Sequence, residues 1–339
     1  MLEGILKDVE ARTAHLSKEK ELDLFTPEQL VADWAKAVEG DLDRPLTTCI
    51  PSIDKDLRSK LRGTVGAYIG YGGSKKSLLA LQACRTNVVT HKNNCTGIYA
   101  NMEMAVFQMM SRLIDMSFEV EDYNWNVSQH YEKYYADAYR LNNKAAMKDI
   151  TNILSENFKE MYGNNLYINS QSGMRVEDFD KLLKKAKKAN GVVDMLVIDG
   201  LSMMAGVGGE TESYTANSKE LKDLAKYHNV YIPLICHLSK GADKHTRDIQ
   251  KYIRGSEKIL DNVDFVIQMS LIIDEFKSSA GNIEYEKDRG FIKFFNKRGS
   301  GNTVNAIYNF DSTKLLISES SEDPNTLVEV KTKKTTFDF

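Results

Sequence analysis

The stretch that decides the fold reads Tyr68-Ile69-Gly70-Tyr71-Gly72-Gly73-Ser74-Lys75-Lys76-Ser77. An apolar, β-prone run leads into this glycine-rich turn, and the apolar helical pattern of residues 78–81 follows it. A strand, a glycine-rich turn, Lys-Ser and a helix form the layout of a phosphate-binding loop. Small residues let successive backbone N–H groups point inward at a triphosphate, and the helix N-terminus adds partial positive charge at the same place.

The chemistry of this loop predicts a site for ATP and Mg²⁺. Lys76 is placed to reach the β- and γ-phosphates, and the Ser77 hydroxyl is placed to bind the metal ion. The predicted nucleotide-binding residues are Gly72, Gly73, Ser74, Lys75, Lys76 and Ser77. A turn between a strand and a helix can also need glycines for its geometry alone, so the rest of the chain has to support this assignment.

Lys75 departs from the usual loop pattern. Phosphate-binding loops of the form G-x-x-x-x-G-K-[ST] carry glycine at the position that Lys75 occupies here. If that position needs a positive φ, a lysine there costs about 1 kcal/mol. Either the loop tolerates the lysine, or ATP turnover by this chain is impaired.

The composition sets limits on the class of protein. The 339 residues are enough for one large α/β domain with a small appendage, and contents of 42% hydrophobic and 27% charged residues are typical of a soluble protein. Four widely spaced cysteines fit reduced thiols in the cytoplasm (the host cytoplasm if the protein is viral), and we expect neither a signal segment nor a membrane span. The net charge of −3 gives no global attraction to nucleic acid, so such binding would need local basic loops.

Residues 1–45 predict a charged helical arm. The sequence Thr26-Pro27-Glu28-Gln29 is typical of a capped helix start. Leu30, Trp34 and Val38 then form a narrow apolar stripe. Two interpretations stay open, namely a helix that packs on its own domain and an arm that docks on a neighbouring subunit.

From residue 46 onward, apolar strand candidates alternate with helical stretches, which predicts an α/β fold with a mainly parallel, twisted sheet flanked by helices. The strand candidates are residues 65–69, 96–100, 166–168, 195–198, 231–236, 265–269, 291–295 and 305–310. The last two are expected to form an antiparallel hairpin at the edge of the sheet. Residues 123–163 are polar, aromatic and helical, and we expect them as an insertion outside the core.

Three polar side chains follow predicted strands. Asp199 ends one apolar run and is a candidate Mg²⁺ ligand. Glu103 follows another strand and can polarise the water that attacks a γ-phosphate, while His237 ends a third and can hydrogen-bond that phosphate. Each residue alone also has a common structural explanation, but parallel strands bring their carboxyl ends to one edge of a sheet, where ligands bind.

Two cations lie in the tight, glycine-containing segment Asn296-Lys297-Arg298-Gly299-Ser300-Gly301. Surface arginines are usually only solvated. An arginine presented on such a turn beside a nucleotide fold is a candidate finger for the γ-phosphate of another subunit.

The order of these segments resembles the RecA-like motor of the DnaB-family hexameric replicative helicases, and the ring domain of phage primase-helicases in particular. Asn101-Met102-Glu103-Met104 is similar to the family's S-L-E-M segment, and Val197-Ile198-Asp199 is similar to its second nucleotide motif. Cys236-His237-Leu238 resembles the phage-type third motif, in which His replaces the more usual Gln.

Two further segments extend the resemblance over about residues 46–316. Ile253-Arg254-Gly255-Ser256 is similar to the segment that follows a DNA-contacting loop. Residues 296–301 resemble the K-x-R-x-G finger region, although Asn296 stands in place of its first lysine. Five loose motifs in the right order are hard to obtain by chance.

The resemblance implies an ATP-dependent 5′-to-3′ DNA helicase that acts in DNA replication as a ring. ATP would then be hydrolysed between two protomers, with Glu103 as catalytic base and Lys76 and His237 at the γ-phosphate. Ser77 and Asp199 would hold Mg²⁺, and Arg298, with Lys297 beside it, would come from the next subunit. The expected domains are a subunit-linking arm (1–45), a RecA-like core (46–317) and a tail (318–339) that is either frayed or a docking peptide, with no primase domain.

Two segments are expected to face the channel of the ring, residues 202–214 and 239–252; ordinary mobile surface is the other interpretation of both. The second is the local basic patch that single-stranded DNA would need. The predicted DNA-binding residues are Lys240, Lys244, Arg247, Lys251 and Arg254. The aromatic candidates for base stacking are the flanking Tyr214 and Tyr252, so we expect little sequence preference.

The implied partners are single-stranded DNA and further copies of this chain, with a hexamer as the expected assembly. A primase, a polymerase or a single-strand-binding protein are candidates for additional partners, and no membrane is expected. Two other functions stay open. One is a RecA-like recombinase or recombination mediator, and the other is a nucleotide-binding replication partner in which Lys75 has disabled turnover.

Overall fold

The computed structural model describes residues 26–58, 60–91, 94–118, 127–206, 210–237, 258–273 and 284–324. The chain divides into two compact units, residues 1–43 and 44–339. In the first unit, helix α1 (Pro27–Asp43) begins with two reciprocal hydrogen bonds. The Gln29 N–H donates to Thr26 Oγ1 (3.2 Å), and the Thr26 N–H donates to Gln29 Oε1 (2.8 Å). The predicted capped helix start is therefore confirmed.

The described part of the second unit alternates helices and strands. Its helices are α2 (Pro51–Leu57), α3 (Lys76–Thr90), α4 (Val106–Ser117), α5 (Val127–Arg140), α6 (Lys144–Tyr162), α7 (Val176–Asn190), α8 (Glu210–His228) and α9 (Lys258–Asn262). Its strands are β1 (Val65–Gly70), β2 (Gly97–Asn101), β3 (Leu166–Asn169), β4 (Met195–Asp199), β5 (Ile232–His237), β6 (Phe265–Ile273), β7 (Tyr285–Asn296), β8 (Thr303–Asp311) and β9 (Leu316–Glu319). None of the described helices combines the length and apolar character that crossing a bilayer requires.

The strands form one sheet in the order β3-β2-β4-β5-β1-β6-β7-β8-β9. The strands from β3 to β6 in this order pair in parallel, and β7, β8 and β9 continue the sheet in antiparallel fashion. Strand β1 lies in the middle, which places the loop that follows it at the centre of one sheet edge. The predicted mainly parallel α/β fold is confirmed.

The central strands are apolar on both faces because each face carries a helical layer. Ile98 and Ile198 contribute to one buried cluster together with residues of α7 and α8. Tyr99 and Val197 contribute to a second cluster with residues of α2, α3 and α4. Near-continuous apolar runs are expected for parallel strands that are buried on both sides. Most of these strands could therefore be predicted from the sequence.

The expected hairpin is present but does not lie at the edge. Strands β7 and β8 pair in antiparallel fashion, with Phe291 opposite Ile307. Strand β9 then pairs with β8 and forms the edge, and β7 is also antiparallel to β6. The edge prediction is therefore wrong by one strand. Strand β9 is only four residues long and follows a charged turn, so its sequence gives no strand signal. It includes residue 318, the first residue of the predicted tail.

Helix α3 closes this edge through one buried side chain. The Gln82 side-chain amide donates to the Ile317 carbonyl (2.8 Å), and its oxygen accepts from the Ile317 N–H (2.7 Å). These two bonds imitate the pairing of a further strand and satisfy backbone groups that an edge would leave open. At the end of β9, Glu319 accepts a hydrogen bond from the Ser52 N–H in the first turn of α2 (2.9 Å). The helix that carries the glycine loop is thus tied to the far edge of the sheet.

Candidate nucleotide site

The carboxyl ends of four parallel strands lie side by side at one edge of the sheet. Gly70 at the end of β1 is opposite His237 of β5, and Asn101 at the end of β2 is opposite Asp199 of β4. The structure therefore brings the glycine loop, Asp199, Glu103 and His237 to the same place, as an edge of parallel strands should.

The glycine loop between β1 and α3 is held by its own short contacts. Ser74 Oγ donates to the Tyr71 carbonyl (2.9 Å), and the Ser74 N–H lies 3.2 Å from the same oxygen. A Cβ at Gly70 would lie 2.4 Å from Ser74 Oγ and 2.5 Å from the Met269 carbonyl oxygen, so only glycine fits there. Gly73 has φ +85°, and a left-handed residue in such a loop helps to turn consecutive N–H groups inward.

Lys75 occupies a left-handed conformation, with φ 67° and ψ 11°. The positive φ that glycine usually supplies is therefore required here, at a cost of about 1 kcal/mol. The Lys75 ammonium lies 4.1 Å from the centroid of the Phe310 ring on β8, and burial lowers the pKa of the Lys75 side chain. A cation over an aromatic face contributes about 0.5–1 kcal/mol, which offsets most of the backbone strain. The fold thus accommodates the lysine.

Lys76, the first residue of α3, is a buried cation. Its Nζ donates to the Tyr71 carbonyl (3.1 Å), and only 4% of the residue is exposed. Burial lowers the pKa of Lys76, while the nearby carboxylates of Asp199 and Glu103 raise it. An ammonium has three donors, so further acceptors from a bound anion would complete its surroundings.

Ser77 and Asp199 meet where α3 begins. Ser77 Oγ donates to Asp199 Oδ1 (3.1 Å), and the Tyr99 hydroxyl donates to Asp199 Oδ2 (2.7 Å). Burial raises the pKa of Asp199, which is 1% exposed, although these two hydrogen bonds act in the opposite direction. A hydroxyl and a carboxylate that converge in this way are the oxygen donors that Mg²⁺ prefers, so the residues present fit the predicted metal.

Glu103 and His237 meet across the end of β4. Asp199 at the end of β4 lies level with Asn101 on one side and with Ile235 on the other. Glu103 and His237 each follow two residues later, so their side chains meet beyond the end of β4. His237 Nε2 lies 2.8 Å from Glu103 Oε1. The hydrogen bond from His237 lowers the pKa of Glu103, against a smaller opposing effect of burial, so the carboxylate stays ionised at neutral pH.

Two neighbouring residues hold Glu103 in this position. The Asn101 side-chain oxygen accepts from the backbone N–H groups of Glu103 (3.2 Å) and Met104 (2.9 Å), which turns the chain sharply after β2. Gly200 has φ +113°, and a Cβ there would lie 3.1 Å from Glu103 Cγ. The chain that leaves β4 therefore has to turn away at a glycine to make room for the carboxylate.

Sequence reasoning missed three contributors to this site. The Asn-x-Glu-Met spacing is a recognisable turn pattern that could have assigned Asn101 its role. Nothing in the sequence marked Tyr99, because a tyrosine inside an apolar strand is usually only core. Phe310 is 235 positions from Lys75 along the chain, and only the sheet brings its ring to that lysine.

Arg298 and Lys297 do not join this cluster within the chain. Their turn between β7 and β8 lies next to Phe265, which is level with Gly66 near the start of β1. A strand rises about 3.3 Å per residue, so the turn is about a strand length away from the glycine loop. Arg298 Nη2 donates to the Asp261 carbonyl (2.8 Å), and Lys297 Nζ donates to the Leu260 carbonyl (2.6 Å) at the end of α9.

The predicted DNA-binding residues Lys240, Lys244, Arg247, Lys251 and Arg254 lie outside the described residues, as does Tyr252. The other predicted channel segment is residues 202–214. A short 3₁₀ turn, Leu201–Met203, overlaps its start, and α8 begins within it at residue 210. Tyr214 lies in α8 with 4% of its surface exposed and belongs to the core. The prediction of Tyr214 as a candidate for base stacking is therefore wrong.

The fold and the edge cluster define a RecA-like nucleotide-binding domain of the kind found in replicative helicases. The chain belongs to the family of DnaB-like helicase C-terminal domains, whose family model matches residues 64–315. The predicted resemblance to the DnaB-family helicases is therefore confirmed. Comparison with curated proteins gives no match.

Solved structures share this fold at low sequence identity. The ATPase domain of G40P is 15% identical with a TM-score of 0.66, and the match covers 88% of this chain and 100% of that one. A DnaB-like replicative helicase, described together with its interactions with primase, is 15% identical with a TM-score of 0.63, over 94% of this chain and 74% of that one. A KaiC-like protein, PH0186 from Pyrococcus horikoshii OT3, is 14% identical with a TM-score of 0.50, over 82% and 99% of the two chains.

The strain at position 75 can be measured with two substitutions. Both Lys75→Gly and Lys75→Ala remove the contact with Phe310, but only glycine adopts the left-handed conformation without cost. We expect Lys75→Gly to exceed Lys75→Ala in free energy of unfolding by about 1 kcal/mol in urea denaturation. Equal stability of the two variants would show that φ at position 75 carries no strain.

The contact between His237 and Glu103 predicts a pH effect. The hydrogen bond holds the pKa of Glu103 below its ordinary value, so the carboxylate persists as pH falls. In His237→Ala the pKa of Glu103 should rise, and the acid limb of the ATP turnover profile should move to higher pH. In His237→Gln, which keeps a donor, the limb should move less. If the acid limb of the turnover profile stays at the same pH in both variants, ionisation of Glu103 does not control turnover.

Proposed function

We propose that this chain is the motor of an ATP-driven DNA helicase that moves along single-stranded DNA during replication. It acts as a ring, a hexamer in its simplest form, with ATP hydrolysed at the contacts between subunits. The observation that carries this proposal is the single cluster formed by Lys76, Ser77, Asp199, Glu103 and His237 at the sheet edge.

Each residue of the cluster has a distinct task in ATP hydrolysis. The loop residues 72–77 surround the phosphates with N–H groups, and the buried Lys76 ammonium exchanges its carbonyl contact for phosphate oxygens. Glu103 accepts a proton from the attacking water. His237 contacts Glu103, and we propose that it also hydrogen-bonds the γ-phosphate, so loss of that phosphate would change the partner of the imidazole.

Ser77 and Asp199 are the residues that would hold Mg²⁺. When bound, the metal ion neutralises charge on the phosphate oxygens. The buried Asp199 carboxyl has a raised pKa, and a nearby divalent cation would favour its ionised form. The Tyr99 hydroxyl donates to Asp199 Oδ2 and so orients the carboxylate that would hold the metal.

Arg298, with Lys297 next to it, serves the nucleotide of the adjacent subunit. Within its own chain the turn lies at the opposite end of β1 from the phosphate loop, so it cannot complete its own site. A monomer then lacks a cation for the charge that develops on the γ-phosphate and should hydrolyse ATP slowly.

The remaining parts of the proposal follow the family. Movement runs 5′ to 3′, and basic residues of segment 239–254 grip the DNA backbone from the channel. Residues 1–45 act as the subunit-linking arm, residues 46–317 as the motor with its helical insertion at about 123–163, and residues 318–339 as the tail. The DnaB-like helicase described above interacts with primase, and we propose a partner of that kind here, in the cytoplasm.

Two substitutions test the chemistry. Lys76→Ala removes the phosphate contact and Glu103→Gln removes the base, so each should abolish ATP turnover, by at least about 100-fold. Glu103→Gln should still bind ATP with Mg²⁺, as measured by calorimetry, because its shape is retained. Full turnover in Glu103→Gln would remove Glu103 from the role of base.

A mixing experiment tests the shared site. Arg298→Ala should lose turnover while it keeps nucleotide binding. Mixing it with Lys76→Ala protein should restore part of the DNA-stimulated activity, because some interfaces then pair an intact phosphate loop with an intact finger. No recovery at any mixing ratio would contradict hydrolysis between subunits.

The competing functions give different results in two assays. ATP turnover without stimulation by single-stranded DNA, or no turnover at all, would favour a nucleotide-binding replication partner. Unwinding of a forked duplex separates a helicase from a recombinase, which would instead form filaments and promote strand pairing. Particle images with a non-hydrolysable nucleotide and single-stranded DNA distinguish a ring from a filament directly.

A further inference from the structure

The turn that carries Arg298 is fastened to helix α2 by one carboxylate. Asp56 Oδ2 accepts from the Asn296 side-chain amide (2.8 Å), and Asp56 Oδ1 accepts from the Asn302 side-chain amide (2.7 Å). The Ser300 hydroxyl lies between the two oxygens, at 3.2 and 3.1 Å. Three side chains that surround the exposed Arg298 thus converge on a single residue that is 240 positions away or more in the sequence.

The turn itself is shaped to make this contact. Asn296 is 8% exposed, and its side-chain oxygen accepts from the Gly299 N–H (2.8 Å) while its amide donates to Asp56. A Cβ at Gly299 would lie 2.4 Å from that oxygen, so only glycine lets the turn close over Asn296. Asn296 therefore shapes the turn, and a lysine at this position could not accept from the Gly299 N–H.

Backbone contacts fix the other side of the turn. The N–H groups of Lys297 (2.9 Å) and Arg298 (3.1 Å) both donate to the Asp264 carbonyl. Asp264 is fixed in turn by an ion pair with Lys222 (2.5 Å) and by the Val65 N–H, which donates to its carboxylate (2.8 Å). Asp56 on one side and Asp264 on the other thus hold the turn from which Arg298 projects, and the exposed Arg298 side chain itself donates to the Asp261 carbonyl.

We propose that Asp56 is a positioning residue for the arginine finger, because its carboxylate gathers Asn296, Ser300 and Asn302 and so sets the direction in which Arg298 leaves the protomer. This inference rests on the proposed role of Arg298 at the site of a neighbouring subunit. It adds a residue on α2, outside the finger segment and outside the phosphate loop.

A carboxylate suits this task because every group that it has to hold is a donor. Its two oxygens accept only, and each receives an amide donor here, with a hydroxyl between them. Burial opposes ionisation of Asp56, but the hydrogen bonds from Asn296, Asn302 and Ser300 outweigh it and lower the pKa. The group is therefore ionised and fully acceptor-bonded throughout the neutral range.

Two substitutions in the 339-residue chain test the assignment. Asp56→Ala removes all three contacts, and the nearly isosteric Asp56→Asn replaces one acceptor with an NH₂ that faces a donor. We expect both to reduce DNA-stimulated ATP turnover, by about tenfold or more for Asp56→Ala, since small misplacements of a catalytic group have effects of this size. Nucleotide binding should stay within about twofold, since the phosphate loop lies at the other end of β1. Lys55→Ala, an exposed neighbour on α2, is the matched control and should keep full turnover.

Mixing separates a positioning role from a defect in folding. The Asp56 variants should regain turnover when mixed with Lys76→Ala, which supplies an intact finger, and should gain nothing from Arg298→Ala, which lacks one. The double variant Asp56→Ala/Arg298→Ala should be no slower than Arg298→Ala alone. This pattern would assign Asp56 to the positioning of Arg298. A protomer that is only destabilised would not regain turnover with Lys76→Ala and yet fail to regain it with Arg298→Ala.

The contrary outcomes are equally distinct. Unchanged turnover in Asp56→Ala, rescue by Arg298→Ala, or rescue by neither protein would each overturn the role of Asp56. If Arg298→Ala and Lys76→Ala fail to rescue each other, the shared site itself fails, and the inference falls with it. If Arg298→Ala and Lys76→Ala restore each other's turnover but Asp56→Ala does not show the same mixing pattern as Arg298→Ala, only the inference about Asp56 fails.

Discussion

The parallel register of β2, β4, β5 and β1 is the constraint on which the site depends. Asn101 lies level with Asp199, Asp199 with Ile235, and Gly70 with His237. The chains on both sides of β4 continue for two residues beyond it, which lets Glu103 and His237 touch above its end. A slip of one residue in either pair would turn these side chains to opposite faces of the sheet, so strand pairing itself assembles the cluster.

The glycine loop shows how one unfavourable residue is balanced by tertiary structure. Lys75 takes a left-handed conformation in which an L side chain is strained, and its ammonium rests over Phe310 from the antiparallel part of the sheet. Tyr308, also on β8, donates to the Ser74 carbonyl (3.2 Å). The antiparallel strands therefore support the glycine loop from the side, in addition to presenting the turn that carries Arg298.

The two ends of the sheet carry the two parts of the proposed ATPase site. The carboxyl ends of the parallel strands hold the glycine loop, Asp199 and Glu103, and the opposite end holds Arg298 on a turn fixed by Asp56 and Asp264. A rigid sheet keeps these parts apart in a single chain. Contact between neighbouring subunits would bring the two parts together. The structure of one protomer therefore gives a physical reason for the proposed ring.

The sequence by itself determined the α/β class, most strands, the capped start of α1 and the candidates Lys76, Ser77, Asp199, Glu103 and His237, because glycine spacing and apolar runs that end in polar residues are local signals. Only the tertiary structure decided the place of β9, the burial of Tyr214 and the contacts of Tyr99, Phe310 and Asp56. These depend on residues 100 to 240 positions apart or more, as in the pairs Tyr99–Asp199 and Asp56–Asn296. Local pattern does not encode such pairs, because strand order and register are set by packing of the whole sheet.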